Sequence, residues 1–171
     1  MRCVYIKKNL IGDGKKQYYL VCIVDGFSRI AWAEVVEDIT SLTVMFATLK
    51  CLNILHDQYQ LKFEEILSDN GTEFGPRFSK QKRNHPFERM LMELDIKHRY
   101  TRPYRPQTNG KVERFWRTLE DDLIRETHFD SVAELKEELL QYLYYYNHER
   151  PHQGINGKKP VETLTQNLLP N

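Results

Sequence analysis

Two segments of the chain each place one carboxylate beside an Asn-Gly pair, at the edge of what reads as a regular element. In Leu67-Ser68-Asp69-Asn70-Gly71-Thr72-Glu73-Phe74, Asp69 ends an apolar run with strand character. In Thr108-Asn109-Gly110-Lys111-Val112-Glu113-Arg114-Phe115, Glu113 falls in the first turn of an amphipathic helix. Its apolar face is Val112, Phe115, Trp116, Leu119 and Leu123. Hard oxygen ligands on two neighbouring rigid elements can hold Mg²⁺ or Mn²⁺ for phosphoryl transfer. Taken singly, Asp69 is equally a turn residue before Asn-Gly, and Glu113 a carboxylate favoured by the helix macrodipole.

Charge is concentrated around the second segment. Net charge is only +1, but residues 97–117 carry +6 and residues 77–89 carry +4, which leaves the rest of the chain at −9. Such clustering is the electrostatic footprint of a phosphate-binding face. Asn109 and Lys111 open the Glu113 helix, where free N–H groups and an ammonium suit a phosphate. Arg102, Arg105 and Gln107 on the preceding loop are candidate contacts to DNA backbone or bases, and Arg114 and Arg117 extend the stripe. Tyr100 and Tyr104 can either stack on a base or pack in the fold. His148 and His152 are separated by Pro151 and lack any CxxC companion, so zinc is not expected.

These residues are to be positioned by alternating strands and helices. Cys3–Lys7, Tyr18–Val24 and Arg29–Val36 read as three sequential antiparallel strands, with Asp25-Gly26 turning the second into the third. A helical stripe runs from Ser41 to about Tyr59 through Leu42, Met45, Phe46, Leu49, Leu52 and Leu55, with Asp38, Thr40 or Ser41 as its cap. Glu65–Ser68 is a short strand, Pro86–Leu94 a short helix with proline in its first turn, and Lys97–Thr101 a last strand. Between them, residues 74–85 are polar and basic and read as a loop. Residues 102–110, with Pro103, Pro106 and Gly110, read as a second loop. After the Glu113 helix, Ser131 and Glu134 form a capping box for a long last helix that Pro151 stops. Pattern alone gives an α/β domain with a mixed sheet. Residues 1–150 form one core and residues 151–171 a tail packed on it.

A chain of 171 residues is long enough for one domain with its own core. No apolar run is long enough to cross a bilayer, and the first residues lack a signal-peptide pattern. Cys3, Cys22 and Cys51 are scattered without metal or disulfide spacing, which fits a reducing cytoplasm.

The paired segments SDNGTEF and RPYRPQTNGKVERFWRTL, with the tail YNHERPHQGINGKKPVE, resemble the catalytic core of insertion-sequence transposases and retroviral integrases. The resemblance covers nearly the whole chain. It implies an RNase H-like fold with a five-stranded mixed sheet, order 3-2-1-4-5, flanked by helices. It implies DNA integration by divalent-metal phosphodiester cleavage and strand transfer, with DNA as partner and a homo-oligomer as the working form. Carried over by motif, Asp69 is the second and Glu113 the third of three catalytic, metal-binding acids. The 43 intervening residues are more than many relatives have. The excess falls in the basic insert around residues 78–87, which some insertion-sequence transposases share. The first acid belongs on the opening strand, where relatives read approximately His-x-Asp-x-Lys; on that pattern Tyr5 stands at the acid. Asp25, at the end of the second strand, is expected to be a turn residue instead. Relatives also carry DNA-reading segments before this core, and here Tyr5 follows Met1 closely. The expectation is a truncated or catalytically impaired copy with one ion or none, or else a non-enzymatic DNA-binding or oligomerising remnant.

Overall fold

Tyr18–Val24 forms the middle strand, β2, of an antiparallel meander with β1 (Arg2–Ile6) and β3 (Ala31–Val36). Tyr5 lies opposite Tyr19, and Leu20 opposite Val35. Four successive β2 residues, Leu20, Val21, Cys22 and Ile23, are buried. Side chains alternate across a strand, so a run buried without alternation means that both faces of this sheet are covered. The coverage comes from α1 (Ser41–Tyr59), α3 (Gly110–Leu119) and α4 (Val132–His148), all of which pack on β2 or β3. The computed structural model describes residues 1–75, 84–101, 110–125 and 127–168.

The caps explain where the helices begin. Thr40 is the N-cap of α1, and its hydroxyl accepts from Thr43 N at 3.3 Å. Asp38 in turn holds Thr40 N at 2.9 Å. Ser131 caps α4 by accepting from Glu134 N at 3.2 Å, while Glu134 reaches back to Asp130 N at 2.5 Å. Two otherwise orphaned donors are satisfied this way. The side-chain amide of Asn147 fills in for a missing strand partner at the start of β3. It donates to Ala31 O and accepts from Ala31 N, both at 2.9 Å.

The second half of the sheet is a parallel pair. The strand β4 (Glu65–Ser68) runs beside β5 (Lys97–Tyr100), joined by α2 (Pro86–Glu93). Among the described residues the expected single five-stranded sheet, order 3-2-1-4-5, is divided into two ladders, β1-β2-β3 and β4-β5. A bond from the Met1 ammonium to Leu67 O, at 2.7 Å, ties β1 to β4.

Two further departures concern the chain after Glu113. The α3 helix widens into a π-helical turn, Glu120–Ile124, with Arg125 N bonded to Glu120 O at 2.8 Å. The tail contains a helix, α5 (Pro160–Leu168), whose Val161 and Leu164 pack against the core. Among the described residues no helix is long and apolar enough to cross a membrane.

Candidate active site

Asp69 sits just beyond β4, half-buried, with its Oδ1 accepting from Gly71 N at 3.2 Å. Beneath it lies a chain of polar contacts. Ser68 Oγ donates to Asp69 O at 2.9 Å and meets His98 Nε2 at 2.8 Å. His98 Nδ1 faces Glu88 Oε1 at 3.0 Å, and Tyr100 OH donates to the same oxygen at 2.6 Å. The Ser-His-Glu order resembles a hydrolase triad, but Ser68 is fully buried, so no substrate reaches it. Its work is structural: it locks β4, β5 and α2 together and so fixes where Asp69 stands. Tyr100 is spent in this network and is not a free stacking platform. The rings of Phe74, Phe87 and His98 close the network from water, with neighbouring centroids 5.2 Å apart. Gly75 makes the approach possible: its φ is +118°, and a side chain there would come within 2.9 Å of Tyr100 OH.

Glu113 is in the first turn of α3, with its side chain 40% exposed. Arg2 of β1 reaches it, Nη1 to Oε1 at 3.4 Å. Cys3 stands in the field of Glu73 and Asp69; burial first, and those charges next, push its thiol well above the ordinary range. The Met1 ammonium is brought down to about 6 by burial, against the pull of Asp69. The residues at the start of β1 thus feel both motif carboxylates: Arg2 pairs with Glu113, and Met1 and Cys3 stand in the field of Asp69. Tyr5 stands farther along the strand, 65% exposed, on the wall of a cavity of about 420 Å³ that it shares with Arg2, Cys3, Glu73 and Glu120.

Glu73 is a neighbour the sequence did not single out. Its carboxylate folds over Gly71, where any side chain would collide with it. Burial, helped by the charge of Asp69, holds its pKa above the ordinary glutamate value. The motif SDNGTEF contains the signal in hindsight: four residues after Asp69, one short helical turn brings the second acid back.

Asp25 is a turn residue. Its Oδ2 accepts from Ser28 N at 2.6 Å, Ser28 Oγ at 2.7 Å and Phe27 N at 3.2 Å. Asp13 is tied to Lys15 at 2.8 Å. Among the described residues no three His, Cys, Asp or Glu side chains come together as a metal site. Of the predicted DNA contacts, Arg102, Arg105, Gln107 and Asn109 lie outside the described residues, as does Tyr104. Lys111 donates to Gly26 O at 2.6 Å, and Arg114 and Arg117 are exposed on α3. The basic stripe is divided: Lys97 and Arg99 both turn to Glu65, at 4.0 and 2.8 Å. His148 meets Tyr59 OH at 3.1 Å, and His152 meets Tyr146 O at 3.3 Å, so each has a packing role.

Comparison with known proteins supplies a family. Two models described as the integrase core domain match residues 6–106 and 94–160. The ORF3 protein of Spiroplasma virus SpV1-C74, named as an integrase, is 28% identical over 155 residues, covering 87% of this chain and 42% of that protein. The chain therefore spans less than half the length of this relative. The solved catalytic core domain of BIV integrase superposes with a TM-score of 0.64 at 24% identity, covering 98% of this chain and 93% of that one. The HTLV-2 integrase catalytic core domain, solved in complex with magnesium in a dimeric form, superposes at 0.58 with 20% identity, covering 95% and 91%.

Proposed function

Because the chain belongs to the integrase core domain family, we propose that it is a core for DNA integration whose Asp69 and Glu113 are its catalytic, metal-binding acids. The observation that supports it is that the start of β1 engages both elements: the Met1 ammonium bonds Leu67 O at the end of β4, and Arg2 pairs with Glu113 in the first turn of α3. Two carboxylates fit a single divalent ion. They do not make the three-acid set that two ions need, and Arg2 already neutralises Glu113. A bound Mg²⁺ or Mn²⁺ would supply Lewis-acid stabilisation and a lowered water pKa.

The chain's own residues do the rest. The Ser68–His98–Glu88 network holds Asp69 in place. Lys111 and Arg114, with Asn109, Arg102, Arg105, Gln107 and Arg117, are the proposed contacts to the DNA backbone. Arg2 balances the Glu113 charge where an acid would otherwise complete the site. This copy is therefore catalytically impaired. The missing acid belongs on β1, at Tyr5 by motif or at Arg2 by contact with Glu113. The Arg2–Glu113 pair also favours a second reading, a DNA-binding or oligomerising protein without catalysis. We propose a homo-oligomer, since α1 exposes Leu42 and Phe46 and the HTLV-2 core was solved as a dimer. A reducing cytoplasm suits its three unpaired cysteines.

The test is Mn²⁺-dependent nicking of plasmid DNA. Loss of an acid should cost at least ~10³-fold, at about 1.36 kcal/mol per decade. The unmodified chain should nick weakly, and Arg2→Asp or Tyr5→Asp should raise the rate. Fast nicking that survives Asp69→Asn would place the chemistry elsewhere.

A further inference from the structure

Arg29 and Arg114 come from distant parts of the chain, yet their guanidinium groups converge on Gly154. A side-chain carbon there would stand 3.8 Å from Arg114 Nη1 and 4.0 Å from Arg29 Nε. With Lys111, Arg150, Tyr145 and His152 they line an open groove of about 800 Å³. Like charges that converge repel, so the arrangement needs a balancing anion. The acids nearby supply little of it. Arg150 is paired with Asp122 at 3.3 Å, while Asp25 is turned into its own hairpin. Among the described residues neither Arg29 nor Arg114 has a carboxylate at ion-pair distance, although Lys97 and Arg99 do. Burial first, and the charges of Arg150 and Arg29 next, hold His152 below its ordinary pKa, as expected in a field of cations.

Arg29 is also held in an uncommon backbone state. Its φ is +71°, a left-handed conformation rarely adopted by residues with a side chain. The side chain curls over its own turn, with Nη1 on the carbonyls of Gly26 and Phe27. The turn that Asp25 stabilises therefore aims this guanidinium at the groove. Arg114 follows Glu113 directly, so the groove borders the helix turn that carries the carboxylate.

We propose that this groove binds the phosphodiester backbone of a DNA strand, with phosphates seated between Arg29 and Arg114 over Gly154, and leads that strand past Glu113. The proposal rests on the DNA-integration reading and adds two residues, Arg29 and Arg150, that lie outside the basic sequence window. Tyr145, 43% exposed, offers a ring at the groove wall for an unpaired base.

Gly154→Asp tests it, because it sets a carboxylate between the two guanidiniums. The position has ordinary backbone angles and room for the side chain. Binding is read by fluorescence anisotropy, with a short labelled duplex and with the same strand unpaired, over a range of salt. Gly154→Asp should weaken binding by about tenfold or more and reduce the salt slope by about two phosphate contacts, with no fall in Tm. Arg114→Ala, at an exposed position, should remove about one contact. The double change Lys97→Ala with Arg99→Ala should leave affinity unchanged. Loss on either probe supports the groove and identifies the form it takes. If the wild type binds and both groove variants match it in affinity and slope, the groove assignment is overturned and the family reading stands. If the wild type binds neither probe, both fall.

Discussion

Glu88→Ala removes the carboxylate on which the support beneath Asp69 depends. Its side chain is 9% exposed, and one oxygen serves both Tyr100 OH at 2.6 Å and His98 Nδ1 at 3.0 Å. Tyr100 OH keeps a second acceptor, Phe74 O at 3.2 Å, and His98 keeps Ser68 Oγ at 2.8 Å on its other ring nitrogen. A buried polar group that loses its partner costs about 1–3 kcal/mol, and breaking a buried pair about 3–5 kcal/mol. The overlap of these ranges, about 3 kcal/mol, is the expected destabilisation. For a chain of this size it corresponds to a fall in Tm of about 6–12 °C. Urea unfolding followed by circular dichroism measures it, with a thermal scan as the second readout. Glu88→Gln keeps an acceptor oxygen in place and should cost less than half as much. A Glu88→Ala protein within about 0.5 kcal/mol of wild type would show that the network does not hold β4 and β5 together. So would a Gln variant as damaged as the Ala one.

Two other outcomes test the local geometry. Glu73 has a raised folded pKa, so the fold takes up a proton more readily than the unfolded chain does. Its contribution is therefore most favourable at low pH and turns unfavourable as pH rises through the window above the ordinary glutamate pKa. Glu73→Gln should raise Tm at neutral pH and leave it almost unchanged below pH ~4, near the free glutamate value; an equal effect at both would show that burial does not shift this group. Ser131→Ala should cost about 1 kcal/mol by removing the α4 cap, measured by the same urea titration, and Ser131→Asp should restore it. An Asp variant as unstable as the Ala one would refute the capping role.

The elements with strong periodicity were legible in the sequence, and the contacts between them were not. Tyr18–Val24 and Ser41–Tyr59 match the observed strand and helix because an apolar run and a helical stripe need no tertiary information. The α5 helix reads as tail in the sequence because nine residues with only Val161 and Leu164 against the core make a weak stripe. Arg29 reads as strand in the sequence, since a left-handed arginine gives no signal of the kind a glycine gives. The two candidate carboxylates were visible from their motifs. The pairing of Arg2 with Glu113 was not, because no spacing links the start of β1 to the start of α3. Within the basic window 97–117, two of the cations are engaged inside the fold. Lys97 and Arg99 lie on one face of β5, and the parallel register sets Lys97 opposite Glu65, so the two share one carboxylate and about half of their charge is offset locally. Arg29 and Arg150 take their place in the groove beside Arg114, which only the fold could show.

Asp69 and Glu113 are proposed to act together as a metal-binding pair left short of its third acid. Calorimetric titration of the chain with Mn²⁺ tests it most directly, alongside Asp69→Asn and Glu113→Gln. The expected result is one weak site that either substitution abolishes and that Arg2→Asp strengthens. Tight binding of two ions to the unmodified chain, or binding that persists in both Asp69→Asn and Glu113→Gln, would contradict it.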